Sequence, residues 1–359
     1  MKKVLIWVLH RPDRSPSQRF RFEQYLSFLE ENGYSFEYSF IIDENDDKIF
    51  YSPGNYFGKL KILFKTVLKR WRELRNAKKY DLVFVQRECF MLGSSFFECQ
   101  MAKKTKLIFD FDDAIWQHAV SDGNKALGFL KDASKTSRLI KCANLVFVGN
   151  QYLADYAKQF NSKVKIIPTT VDTVKFSRQS FPKNDKICIG WSGSFSTIPH
   201  FESAMPALLE IKAKYGDSVY FKVIGDPNYK NEALDIKGIA WTAEDEVWQL
   251  SEIDIGLMPL PDDEWTRGKC GLKGLTYMAL GIPTIMSPVG VNTEIISDSE
   301  NGYLALGHSE WVEKISMLIE NEALRREIGT KGKETVLNKF SVASQKGRYL
   351  EFFNELCKD

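Results

Sequence analysis

The chain has 359 residues, enough for two domains of ordinary size with a core in each. Its 49 Lys and Arg nearly balance 47 Asp and Glu, which excludes the one-sided basic charge of a general nucleic-acid binder. Apolar residues make up 44% and aromatics 13%, as in a globular protein, and no apolar run reaches the length of a bilayer span.

Residues 4–9 form an apolar run, too short for the core of a signal peptide, and read as a first strand. A polar loop follows, then a helical pattern of Phe20, Phe22, Tyr25, Leu26 and Leu29 with a stop at Gly33. Residues 36–42 supply a second strand, and a polar loop leads to 57. From 57 to 79, Leu60, Ile62, Leu63, Val67, Leu68, Trp71 and Leu74 recur at helical spacing among nine Lys and Arg. Such a helix either lies on anionic lipid or packs on the sheet with a solvated outer face. Strands follow at 81–86 and 106–111 with a helix around 94–103 between them. The second strand ends in Asp110-Phe-Asp-Asp-Ala-Ile-Trp116, with His118 close behind. Carboxylates at the carboxyl end of a parallel strand face the crevice, where they can bind sugar hydroxyls or a metal; Asp112 could equally cap the next helix. Helices at 131–143 and 151–159 and strands at 145–148 and 164–167 complete this half, and the polar, Pro-containing stretch 172–185 reads as a linker.

A second alternating series begins with a strand at 187–191 and a loop containing Gly193 and Ser194, whose N–H and O–H groups can face a phosphate, before a helix at 200–215. Residues 220–224 form a strand ending in Gly225-Asp226, 236–241 another, and 243–253 a helix with Glu244, Asp245 and Glu246 in its first turn. The apolar run 255–260 then enters a loop that becomes a helix at 273–280. Arg267, Lys269 and Lys273 fall within seven residues at that junction, where backbone N–H groups and the helix dipole already favour an anion; a phosphate or diphosphate fits. A strand at 282–286, a tight loop at 287–290 into a helix at 292–296, long helical patterns at 310–319 and 323–340, and a last helix through Tyr349, Phe352 and Phe353 end the chain. The fold class expected is α/β, with two facing Rossmann-like domains and a cleft between them that takes a nucleotide from one side and a second substrate from the other. The six cysteines (Cys89, Cys99, Cys142, Cys188, Cys270, Cys357) contain no Cys-x-x-Cys pair, so neither a zinc site nor a disulfide framework is expected, and a reduced, cytoplasmic setting follows.

Arg19-Phe-Arg-Phe-Glu-Gln-Tyr25, Gln86-Arg-Glu88, the Asp110 to Trp116 stretch, Ile167-Pro-Thr-Thr-Val-Asp172, Gly190-Trp-Ser-Gly-Ser194 and Tyr277-Met-Ala-Leu-Gly-Ile-Pro-Thr284 occur in that order. With them the chain resembles the glycosyltransferases of family 4, which have the GT-B fold. The resemblance implies an N-terminal acceptor domain over 1–172, a C-terminal nucleotide-sugar donor domain over 173–342, and a helix over 343–359 crossing back to the first domain. It implies retaining transfer from a nucleoside diphosphate sugar to a glycan or lipid-linked hydroxyl, in surface polysaccharide or glycoconjugate synthesis, with no cofactor, and at the inner face of the membrane if 57–79 binds lipid. The sequence departs from the family in its donor loop. Gly268 and Thr276 stand where the family carries a glutamate pair, and the usual Arg and Lys after the first strand of the second domain are absent from 190–197.

Breaking the bond between anomeric carbon and phosphate oxygen builds negative charge on the diphosphate, which cations and N–H donors stabilise. Arg267, Lys269, Lys273, Gly193 and Ser194 are assigned that role, and with three cations present a metal is not expected. Asp112, Asp113 and His118 are the candidates for orienting hydroxyls and handling a proton. The nucleotide is expected near Gly225, Asp226, Trp241, Thr242 and Glu246, and Arg19 and Arg21 either bind an anionic acceptor or pair with neighbouring carboxylates. A nucleotide-sugar epimerase on the same fold and a non-catalytic two-lobed binding protein are the alternatives. Only four histidines and no export signal speak against them.

Overall fold

The computed structural model describes residues 1–117, 132–180 and 185–358. The chain forms two compact units, one of residues 1–168 with 346–359 and one of residues 169–345. Each is built on its own parallel sheet. His118 lies outside the described residues.

In the first unit the strands are β1 (Lys2–Trp7), β2 (Tyr34–Ser39), β3 (Leu82–Gln86), β4 (Lys106–Phe111), β5 (Leu145–Val148) and β6 (Val164–Ile166), in the order β2-β1-β3-β4-β5-β6. Residues 4–7, 82–86, 107–111 and 145–148 are buried throughout, as strands covered on both faces must be. The helices are α1 (Pro16–Arg21), α2 (Leu26–Glu31), α3 (Glu44–Tyr51), α4 (Tyr56–Arg75), α5 (Phe96–Ala102), α6 (Ser134–Cys142) and α7 (Gln151–Lys158). The expected polar loop before 57 is instead α3, eight residues with no buried side chain, held at its start by Asp43 accepting from Asn45 and Asp46 N–H. Without an apolar stripe it leaves no periodic signal.

The second unit has β7 (Ile187–Ser192), β8 (Val219–Ile224), a short antiparallel pair β9 (Lys230–Asn231) and β10 (Ile236–Lys237), then β11 (Ile255–Met258), β12 (Thr284–Met286) and β13 (Tyr303–Leu304). Its main sheet runs β13-β12-β11-β7-β8, all parallel. The helices are α8 (Ile198–Glu202), α9 (Met205–Tyr215), α10 (Glu246–Ser251), α11 (Glu264–Arg267), α12 (Leu272–Ala279), α13 (Asn292–Ile295), α14 (Gly307–Glu320) and α15 (Glu322–Thr335), and α16 (Val342–Cys357) closes the chain. The strand expected over 236–241 is corrected: only 236–237 pair, with β9, and Ile239 touches the main sheet through a single bridge to Ile224.

Helix α16 supplies aromatic core to the first unit. Tyr349 stacks on Tyr25 with ring centroids 4.5 Å apart and lies against Phe84, Phe147 and Phe353. No described helix is long and apolar enough to cross a membrane. Truncating Tyr349 to Ala leaves a void among four rings, and we expect a loss of about 3–5 kcal/mol in urea unfolding. A loss below about 1 kcal/mol would show that α16 is dispensable to this core.

Candidate functional site

A doubly wound sheet opens a crevice where its strand order reverses, because the loops after the two flanking strands leave in opposite directions. In the second unit that point lies between β7 and β11, and in the first between β1 and β3. Some of the candidate residues of each unit lie near these two places.

In the second unit, α11 fills part of the expected loop after β11. Asp263 caps it, accepting from Thr266 N–H at 2.8 Å while Thr266 Oγ1 accepts from Asp263 N–H at 3.1 Å. Gly271 then takes a left-handed conformation (φ 72°) as N-cap of α12, whose first turn has no side-chain cap. Lys273, in that first turn, is half-buried. Its ammonium lies 4.4 Å from the centre of the Trp191 ring and donates to Thr197 Oγ1 at 3.2 Å. It thereby ties α12 to the end of β7 and to the loop that follows. Lys269 sits 3.9 Å over the ring of Trp265. Burial, and after it the charge of Lys269, lowers the Lys273 ammonium to about 7 from the ordinary lysine value. Both lysines thus rest on indole faces at one crevice, and no carboxylate pairs with Lys273 among the described residues.

Glycines make room for this. A Cβ on Gly193 would fall 2.5 Å from the Trp191 ring and 2.7 Å from Lys273 Nζ. Gly225, at φ 128°, brings the end of β8 so near that a Cβ there would sit 1.7 Å from Gly193 O. The Gly193 N–H donates to Ile224 O at 2.9 Å, and Ser194 Oγ lies 2.9 Å from Ser196 Oγ at the exposed tip of the loop.

Other predicted residues take different places. Arg267 is an exposed partner of Asp262, with Nε 2.7 Å from the carboxylate, so its fork is engaged beside the lysines. Thr242 bonds Asp245 at the start of α10, and Asp226 accepts from Asn228 N–H at 2.9 Å within its own turn. Trp241 is half-buried and Glu246 buried. Thr276, at the family's second glutamate position, is buried and donates to Lys273 O at 2.7 Å within its helix.

In the first unit the two aspartates of the triplet separate by function. Asp110 is fully buried and paired with Arg21, which bonds both carboxylate oxygens and also donates to Ile167 O. Burial raises the Asp110 carboxyl above its ordinary range against the pull of Arg21. The acceptor-side assignment of Arg21 is therefore corrected: its guanidinium is fully buried and joins β4 to the end of β6. Arg19 is buried as well, its guanidinium 5.2 Å from the Phe20 ring.

Asp112 faces the crevice edge. It accepts from Ser17 Oγ at 2.6 Å and Arg87 Nε at 2.8 Å. Burial works against its charge, but Arg87, Arg21 and the Ser17 hydroxyl hold the carboxyl below its usual value, so it is an anion at neutral pH. Asp113 accepts from Ala114 N–H at 3.0 Å and lies 3.8 Å from Arg87. Arg87 has φ 59°, a left-handed conformation rare outside glycine and a known form of strain at functional edges. Nothing in the sequence marks that backbone turn. His10, at the end of β1, stacks on Tyr51 and lies 3.0 Å from its hydroxyl through Nε2. Burial, and then Arg14, lower His10 to about 4, so the imidazole is neutral near pH 7. Sequence reasoning passed over Ser17, Thr197 and Trp265, which partner the chosen residues; Ser17 lies in the first turn of α1, Thr197 just before α8, and the third is a lone Trp.

With this geometry in hand, comparison with known proteins gives a consistent result. Residues 187–321 match the family described as "Glycosyl transferases group 1". The second unit is thus similar to a glycosyltransferase domain of the group 1 type over that stretch. Over 86 residues, 24% of this chain, it is 35% identical to trehalose synthase of Pyrococcus horikoshii, and over 64 residues, 17%, it is 34% identical to a poly(ribitol-phosphate) alpha-N-acetylglucosaminyltransferase of Staphylococcus aureus. These matches span 21% and 13% of the relatives' own lengths. The whole chain superposes on a sucrose-phosphate synthase from Thermosynechococcus elongatus (TM-score 0.71, 13% identity, 99% of each chain) and on Anabaena HepE in complex with UDP (TM-score 0.65, 13% identity, 99% of this chain and 100% of that one). The fold is GT-B, with two Rossmann-like domains.

The low value at Lys273 has a thermodynamic consequence. Between about pH 7 and 10 an unfolded lysine holds a proton that folded Lys273 has lost, so this residue makes stability rise with pH over that window. Lys273→Met removes the buried charge, and we expect its melting temperature without ligand to exceed that of the wild type, most at or below pH 7 and least near pH 10. A difference independent of pH would contradict the assignment. Separately, Arg21→Ala strands a buried carboxylate and should cost about 3–5 kcal/mol by urea denaturation.

Proposed function

We propose that the chain is a retaining glycosyltransferase of family 4 that moves a sugar from a nucleoside diphosphate sugar to a hydroxyl of a glycan or lipid-linked acceptor in cell-surface polysaccharide or glycoconjugate synthesis. The observation that carries this reading is the pair Lys269 and Lys273 on Trp265 and Trp191, at the strand-order reversal of the unit that matches the transferase family.

When the anomeric bond breaks, its electron pair stays on the diphosphate oxygen. Two ammonium groups and the N-terminus of α12 are held there before the charge develops, so little reorganisation is needed. Lys273 gains its proton back as the anion arrives, since the negative charge of a diphosphate outweighs the burial and the repulsion from Lys269 that lower it. The indole rings position the two ammonium groups through contacts with their faces. These two ammonium groups supply positive charge of the kind a divalent ion would bring. Ionised Asp112, with Ser17 and Arg87 fixing its orientation, is the acceptor for a substrate hydroxyl proton in a hydrogen bond, and Asp113 lies beside it. The likeness to HepE, solved with UDP, makes UDP the first nucleotide to test.

Titration calorimetry with UDP, GDP and ADP tests the reading. One of them should bind, and Lys269→Ala and Lys273→Ala should each weaken it at least about tenfold, the scale of a lost charge-assisted hydrogen bond. Affinity should fall as pH rises from 7 to 9, with proton uptake visible as a buffer-dependent enthalpy, because free Lys273 is increasingly neutral there. Absence of binding by all three nucleotides, or full affinity in both variants, would overturn the proposal.

A further inference from the structure

Helix α4 faces the wrong way for a helix covering a sheet. The side chains it buries are Lys59, Ile62, Thr66, Arg70 and Leu74, three of them polar. Arg70 fixes it to the unit by donating to Cys89 O at 2.8 Å, to Ser39 Oγ and to Glu73, both at 2.7 Å. Its outward side carries Phe57, Leu60, Phe64, Leu68 and Trp71, spaced three or four apart, with Phe57 83% and Phe64 63% exposed. Phe96, at the start of α5, continues the patch 5.6 Å from Trp71. An unbroken row of large apolar side chains differs from the scattered ones of an ordinary surface. At 100° per residue, Lys61, Arg72 and Arg75 fall on or beside one flank of this row, all exposed, while Lys65 on the same flank is paired with Asp43 at 2.6 Å and Asp46 at 2.8 Å. The sole acid from 56 to 75, Glu73, points inward to Trp7 Nε1 and Ser39 Oγ.

We propose that this face of α4 docks the first unit on an anionic lipid bilayer, with the Phe57 to Trp71 row entering the interface and Lys61, Arg72 and Arg75 meeting lipid phosphates. A long apolar stripe beside a basic flank is the pattern of a helix lying in the plane of a membrane surface. A helix of 20 residues lying flat spreads the contact over about 30 Å. Because β2 and β3 are parallel, α4 starts at the carboxyl edge of the sheet, and Phe57, Leu60 and Phe64 lie towards the edge that carries Ser17, Arg87 and Asp112. Docking by this face therefore sets that edge near hydroxyls carried on lipid. The docking rests on the helix alone; only this last consequence rests on the transferase reading.

Sedimentation with vesicles tests it, using phosphatidylcholine alone and a mixture with about one-third phosphatidylglycerol. The full chain should bind the anionic vesicles at least roughly tenfold more tightly than the neutral ones, and less tightly as salt rises. The double variant F57S/F64S should lose roughly tenfold or more of that binding, with its circular dichroism and nucleotide binding unchanged. K61E/R72E should lose the preference for anionic lipid. No vesicle binding by the wild type, undiminished binding by F57S/F64S, or a lipid-free dimer that F57S/F64S disrupts would each overturn the proposal. A chain that binds vesicles but no nucleotide would support docking and refute the transferase reading.

Discussion

The interaction on which the second unit's chemistry depends is that of a half-buried ammonium with an aromatic ring and a hydroxyl, in place of a carboxylate. Lys273 reaches across the strand-order reversal to Trp191 and Thr197, so a residue on α12 closes the gap between the loops after β7 and β11. A cation–π contact orients a lysine for about 0.5–2 kcal/mol without cancelling its charge. A carboxylate would have oriented it more strongly and left nothing for a diphosphate. The folded protein bears the cost of a lowered lysine, and an arriving anion recovers it.

The first unit uses opposite electrostatics. Arg21 and Asp110 neutralise each other in the core, and Ile167 O takes a further guanidinium N–H. That pair fixes the end of β4, and with it the direction in which Asp112 leaves. Arg87, forced into a left-handed turn, then meets Asp112 from the neighbouring strand. Asp112 is thus held as an anion by Arg87 and the Ser17 hydroxyl, while its neighbour two residues back serves the fold.

Much of this was legible in the residues. The runs at 106–111 and 145–148 are mostly apolar and bounded by polar loops, and they form β4 and β5 with those limits. The cluster Arg267, Lys269, Lys273 marked the junction into α12 because charge at a strand-to-helix junction is readable from spacing alone. What spacing does not carry is which cation turns inward. Arg267 found Asp262, five residues back, whereas the lysines found tryptophans, one of them in a strand where it looks like ordinary core. Arg21 and Asp110 are 89 residues apart, and their pairing follows from tertiary packing that no local pattern encodes. Helix α4 shows the same limit: its periodicity was plain, but period does not say which face meets the sheet, and the polar Arg70 network turned the apolar row outward.

The central claim is that Lys269 and Lys273 hold a diphosphate. A structure of the chain with a bound nucleoside diphosphate measures it most directly. The account predicts phosphate oxygens within hydrogen-bond distance of Lys273 Nζ and beside Lys269, with the base extending past Gly225. A nucleotide bound elsewhere on the chain, or Lys273 still bonded only to Thr197 beside an occupied site, would contradict it.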